Sequence, residues 1–243
     1  MKQQRSPYRQ AGFTLVEIAI VLVIIGLLLG GVLKGQELIN SAKIKNLVND
    51  MNGLSTAVYA YQDRYRALPG DDANAETRWT PQITAAGTGL GNGDGSLGAA
   101  AFNAAAAAGA GPETVLFWKE LRTAGLVSGN VTDAQPLNAV GGILGVQMGA
   151  GNQTAGAGTQ GLGGLVACQT NVLGKLAEAM DRQIDDGVPN AGAVRAWTQA
   201  GLVAADGATT GVDISVAAAG KTNPAATYVD DGVTMYTVCK TIL

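Results

Sequence analysis

The chain contains no histidine. That absence removes the commonest general base and the commonest metal ligand together, and with them any Ser–His or Cys–His catalytic pair. No G-x-S-x-G nucleophile elbow and no P-loop is present. Charged residues are only 14% of the chain and its formal net charge is −3, so it has no general basic field for nucleic acid. The acids that stand in pairs, Asp71-Asp72, Asp185-Asp186 and Asp230-Asp231, each lie beside Gly or Pro, where turn chemistry accounts for them. The chain therefore reads as non-enzymatic, without a cofactor and without a small-molecule substrate.

What the sequence does have is an uninterrupted apolar run. Ile18 to Leu33 carries no charge, and the run follows a leader with Lys2, Arg5 and Arg9 and no acid. Phe13 to Leu33 is long enough to cross a hydrocarbon core of roughly 30 Å. One carboxylate, Glu17, stands just inside its start. An ionisable group inside a bilayer costs several kcal/mol and is a functional-site candidate by default. A secretory signal would place a small-x-small site after the apolar core. Here Lys34-Gly35-Gln36-Glu37 follows, and the small residue Gly12 precedes the run. Plain anchoring would explain the length but gives no reason for Glu17.

The order of basic leader, Gly12, Phe13, one acid and apolar helix resembles the signature of type IV prepilins and the related pseudopilins. The resemblance is close over Gly12 to Gly26 (GFTLVEIAIVLVIIG). It implies cleavage after Gly12 by a prepilin peptidase, which then methylates the new amino terminus at Phe13. It also implies that Glu17 neutralises the Phe13 amino group of a neighbouring subunit during filament assembly. Unpaired charges in an apolar core are costly, and a paired set is tolerated. The implied partners are the peptidase, other copies of the chain and other pilins, the inner membrane and the inner-membrane assembly platform. The leader's positive charge keeps it on the cytoplasmic side, so the rest is exported. The chain would then pass from the bacterial inner membrane to an extracellular pilus, or to a periplasmic pseudopilus.

The expected organisation is a leader over 1–12, a long helix over 13–66 with 13–33 as transmembrane or filament-core segment, and a head over 67–243. Ile44, Leu47, Met51, Leu54, Val58, Tyr61 and Tyr65 recur at alternating spacings of three and four, one apolar stripe on a helix. At 1.5 Å per residue the helix would be roughly 80 Å long. Many pilins have a proline in its first half; this chain has Gly30-Gly31 and Gly35 around Lys34. Leu68-Pro69-Gly70-Asp71-Asp72 ends the helix in a turn. Leu68-Pro69-Gly70-Asp71 and the segment Trp118 to Leu126 also resemble the L-P-G-D turn and W-x-x-L-x-x-A-G-L segment of longer pilin-like proteins, and are expected to pack the head.

In that head, Glu113 to Ala124 is expected to be a helix with Leu116, Phe117, Leu121 and Ala124 inward and Trp118 over an edge. Asn171 to Asp186 is expected to be helical. Val194 to Trp197, Val212 to Ala217 and Thr227 to Cys239 are expected to be strands, the last with a hairpin signal at Asp231-Gly232. Gly141 to Gly164 fits either strands or a surface loop. The fold class is α+β: a long N-terminal helix packed on a small antiparallel sheet.

The cysteines Cys168 and Cys239 lie in the exported part, where an even count favours one disulfide. Pilins typically have such a C-terminal disulfide-bounded region. Asn92-Gly93-Asp94-Gly95 matches part of a calcium loop through Asn92 and Asp94, but lacks the further carboxylates, and a plain Gly/Asn/Asp turn explains it better. Asn130-Val131-Thr132 and Asn152-Gln153-Thr154 are formal glycosylation acceptors. The function expected is a structural subunit of a type IV pilus-like filament. The alternatives are a pseudopilin of a type II secretion system and a minor pilin with an adhesive or DNA-binding head.

Overall fold

The computed structural model describes residues 14–80, 83, 91–98, 113–133, 135–149, 162–199 and 224–243. The chain divides into two compact units, Met1–Ala42 and Lys43–Leu243. Helix α1, Leu15–Tyr65, is 51 residues long and runs from the first unit into the second.

Within the first unit, α1 is apolar on all sides from Ile18 to Leu33. Its most apolar 18-residue window has a mean hydropathy of 2.8 and is 0% buried. In the second unit α1 buries one stripe: Leu47, Val48, Met51, Leu54, Ala57, Val58 and Tyr61. The stripe lies against a four-stranded sheet of β1 (Leu144–Met148), β2 (Leu165–Leu173), β3 (Val194–Thr198) and β4 (Met235–Thr241). The strand order is β1-β2-β4-β3 and every pairing is antiparallel. Strand alternation sends Leu144, Val146, Leu165, Ala167, Tyr236 and Val238 to the clusters that hold the α1 stripe. Leu162, Val166, Cys168, Trp197 and Cys239 form a separate cluster. The α1 backbone is tied to the sheet as well: Gln169 Nε2 donates to the Leu47 carbonyl at 2.8 Å.

Helices α2 (Ala75–Trp79), α3 (Glu113–Thr123) and α4 (Gly174–Ile184) complete the described elements. In α3, Phe117, Trp118 and Leu121 enter the core with Leu54, Val58 and Tyr61 of α1. Trp118 is only 2% exposed, so it is a core residue and not an edge cover.

Two further expectations change in the structure, and one stretch left open is decided. Asn171 to Leu173 belongs to β2, and α4 starts at Gly174. A register shift between Gln169 and Val172, with Asn171 at φ 60°, brings Val172 into the helix-side core opposite Tyr236. Gly174 follows because a Cβ there would meet the Val229 carbonyl oxygen at 1.9 Å. Next, β4 starts only at Met235, and Asp231-Gly232 is not a hairpin. The Asp231 carboxylate accepts from the Val233 N–H at 2.9 Å and the Thr234 N–H at 2.6 Å, closing a local turn that feeds β4. Finally, β1 lies in the stretch Gly141 to Gly164, whose residues 150–161 are outside the described residues. The strand expected at Val212 to Ala217 and the glycosylation acceptor Asn152 also lie outside them.

Candidate functional site

The apolar half of α1 begins with a cap. The Thr14 N–H donates to Glu17 Oε2 at 2.8 Å, and its hydroxyl donates to the same oxygen at 2.7 Å. The Glu17 N–H donates back to Thr14 Oγ1 at 3.3 Å. This is the reciprocal capping box of a T-x-x-E sequence, satisfying two donors that a helix start would otherwise orphan. Glu17 is thus held at the first turn and is exposed there. Gly12 and Phe13, the residues expected at the cleavage and methylation site, lie outside the described residues.

Beyond the cap, the large apolar side chains up to Leu33 are from 46% exposed at Ile18 to 91% at Leu15. At roughly 1.5–3 kcal/mol per fully buried side chain, leaving this surface in water would forfeit tens of kcal/mol. The segment therefore requires lipid or other apolar helices as surroundings. Gly26, Gly30 and Gly31 have open space where a Cβ would point, which suits close approach of another helix.

The second unit contains a buried polar corner. Asp71 and Asp72 of the turn are 3% and 1% exposed, and Glu120 of α3 is 1% exposed. The Asp71 carboxylate accepts from the Gly93 and Gly95 N–H groups, both at 2.6 Å. Asp72 Oδ2 receives Arg78 Nη1 at 2.6 Å, and its Oδ1 accepts from the Asn74 N–H at 2.9 Å. Tyr61 Oη lies 2.8 Å from Asp72 Oδ2 and 3.0 Å from Glu120 Oε2. The Gly70 N–H donates to that same Glu120 oxygen at 2.7 Å. Burial pushes the Glu120 carboxyl up to about 8, against the pull of the Gly70 and Tyr61 hydrogen bonds. Burial likewise raises the Tyr61 hydroxyl, with the Glu120 charge adding to it.

This corner explains the loop weighed for calcium. Asn92 Oδ1 accepts from the Asp94 N–H at 2.7 Å and Asp94 Oδ1 from the Ser96 N–H at 2.8 Å. The loop turns its Gly93 and Gly95 N–H donors toward Asp71, so its inward groups suit a carboxylate. At Gly91 a Cβ would fall 2.0 Å from the Asp71 carbonyl carbon, so the chains pass too closely for any side chain.

Asp181, Asp185 and Asp186 also come together, with one oxygen of each within 4.8 Å of the others. Each has a structural partner. Tyr228 Oη donates to Asp181 Oδ2 at 2.7 Å, the Val188 N–H donates to Asp186 Oδ1 at 2.8 Å, and the Ala193 N–H donates to Asp185 Oδ2. Cys168 and Cys239 face each other in the β2–β4 register and are joined by a disulfide, with Cα atoms 4.1 Å apart.

Reading the sequence residue by residue misses two features of these sites. The Thr14–Glu17 cap has a local signal, T-x-x-E, that could have found it. The Tyr61–Asp72–Glu120 contact joins residues 11 and 59 positions apart, and no local pattern signals it.

Residues 7–33 match the prokaryotic N-terminal methylation motif, which includes the apolar half of α1. No curated protein and no solved structure matches the chain.

Proposed function

From a chain that bears the prepilin-type methylation signature on a pilin-like α+β fold, we propose a structural subunit of a type IV pilus-like filament. The leader is cut after Gly12 by a prepilin peptidase, and Phe13 becomes the methylated amino terminus. The subunit waits in the inner membrane through the apolar half of α1 and enters the filament by exchanging lipid for neighbouring helices. Lipid is as apolar as leucine, so close packing and the Glu17 carboxylate must supply the bias. In this reading Glu17 turns from its Thr14 cap toward the Phe13 amino group of a neighbour, which pairs two charges that the apolar core would otherwise leave bare.

The observation that carries the proposal is the wholly exposed apolar half of α1, headed by one positioned carboxylate. Mass spectrometry on filaments sheared from cells tests it. An abundant peptide starting at N-methylated Phe13 is expected, and its ratio to other pilins separates a major from a minor subunit. The processed peptide confined to the membrane fraction would mean a pseudopilin of a secretion system. An uncut chain starting at Met1 would overturn the proposal.

A further inference from the structure

Tyr61 has one hydroxyl proton and faces two carboxylate oxygens, on Asp72 and on Glu120. All three side chains are buried. A single O–H donates along only one of these two short O···O contacts, so the other needs a proton held by a carboxyl. Asp72 is the charged member, because its Oδ2 sits on the Arg78 guanidinium at 2.6 Å. Among the described residues, no cation lies within ion-pair distance of Glu120. Its Oε2 accepts from the Gly70 N–H while lying within hydrogen-bond distance of Tyr61 Oη. With the single Tyr61 proton on Asp72 Oδ2, the 3.0 Å approach of Tyr61 Oη to Glu120 Oε2 needs a second proton, and Glu120 is the group that can supply it.

We infer that Glu120 is a neutral acid at physiological pH, and that its proton is the clasp joining α1, the Leu68–Asp72 turn and α3. The chain of donors runs from Glu120 Oε2–H to Tyr61 Oη, from Tyr61 Oη–H to Asp72 Oδ2, with Arg78 closing it as the cation. The groups facing Glu120 are Tyr61 from α1, Asp72 from the turn and Arg78 from α2. The sheet contributes Leu144, Val146 and Leu165 to the surrounding cluster. Loss of the proton would set a second buried anion against Asp72 with one hydroxyl between them. The clasp is therefore a pH-sensitive device. It is closed at neutral pH and opens in mildly alkaline solution, where the turn loses its hold on α3.

The test is a carboxyl ¹³C NMR titration of the full chain in detergent micelles, with glutamate labelled at Cδ and Glu120 assigned through its own backbone. Glu120 is expected to show the chemical shift of a protonated acid at pH 7 and to titrate with a midpoint of about 8. The Gly70 amide resonance should follow the same midpoint. In Asp72→Asn the Tyr61 hydroxyl is free to serve Glu120, and the midpoint should fall by about one unit or more, a tenfold weaker hold on the proton. A wild-type midpoint in the ordinary range near 4.5, or a Gly70 amide that does not move with it, would overturn the clasp. So would an unchanged midpoint in a folded Asp72→Asn variant. The wild-type titration decides the matter alone if that variant does not fold.

Discussion

From Leu15 to Leu33, α1 turns apolar side chains in every direction, and its most apolar window has nothing buried within the chain. From Leu47 to Tyr61 the same helix confines its buried residues to one stripe and leaves Asn52 and Tyr59 outside. The first stretch has one polar device, the Thr14–Glu17 cap at its start. The second has polar contacts that point inward to partners on the head: Tyr61 to Asp72 and Glu120, and the Leu47 carbonyl to Gln169. Helix propensity does not separate the two stretches. The difference lies in where the partners are: the second stretch finds them in its own chain and the first must find them in lipid or other apolar helices.

Mutations in the two stretches should therefore act on different properties. The largest effect on stability is expected in the second stretch. Met51→Ala, at a position 0% exposed, should lower head stability by about 2–5 kcal/mol in denaturant unfolding followed by tryptophan fluorescence. Leu22→Ala in the first stretch should leave that transition unchanged, since Leu22 is 64% exposed. Equal losses from both would erase the distinction. Replacing Cys168 and Cys239 together by serine opens a link across 71 positions and should cost roughly 4 kcal/mol in the same assay.

A smaller effect is the pH dependence of the head. Glu120 has a folded value of about 8, raised from an ordinary 4.5. Between those values the folded protein keeps a proton that the unfolded chain has released. Stability should therefore be highest at the acid end of this window and fall as pH rises through it, by at most about 1.4 kcal/mol per unit. Asp231 acts in the opposite sense, because the Thr234 N–H and hydroxyl hold its carboxylate low, at about 2. Its contribution is lost as pH falls below the ordinary 3.8 toward about 2, a window that does not overlap that of Glu120. Glu120→Gln should flatten the alkaline slope and leave the acid one in place. The smallest effect is expected from Thr14→Ala, which removes a cap worth about 0.5–2 kcal/mol and should fray the first turn of α1 without altering the head.

How much of this was legible follows from how local each signal is. The stripe of α1 could be read because its three-and-four spacing maps directly onto one helix face. The pairing of Cys168 with Cys239 was favoured by their count and compartment, and both meet in one ladder. Strand β2 could not be read in the same way. Its apolar run is broken by Gln169, Thr170 and Asn171, which resemble a helix approach until the bulge re-aims Val172. Asp71 and Asp72 read correctly as turn residues. Their burial depends on Gly93 and Gly95, 22 and 24 positions away from Asp71, and on Tyr61. Those contacts exist only once the head has folded.

The most direct test of assembly through the first stretch is Glu17→Ala, with mature mass and sheared filament measured on the same cells. The expected result is a chain that is still cut after Gly12, still folded in its head and still in the membrane, with no filament in the sheared fraction. A normal filament yield from Glu17→Ala would contradict it, and Glu17 would then be a helix cap and nothing more.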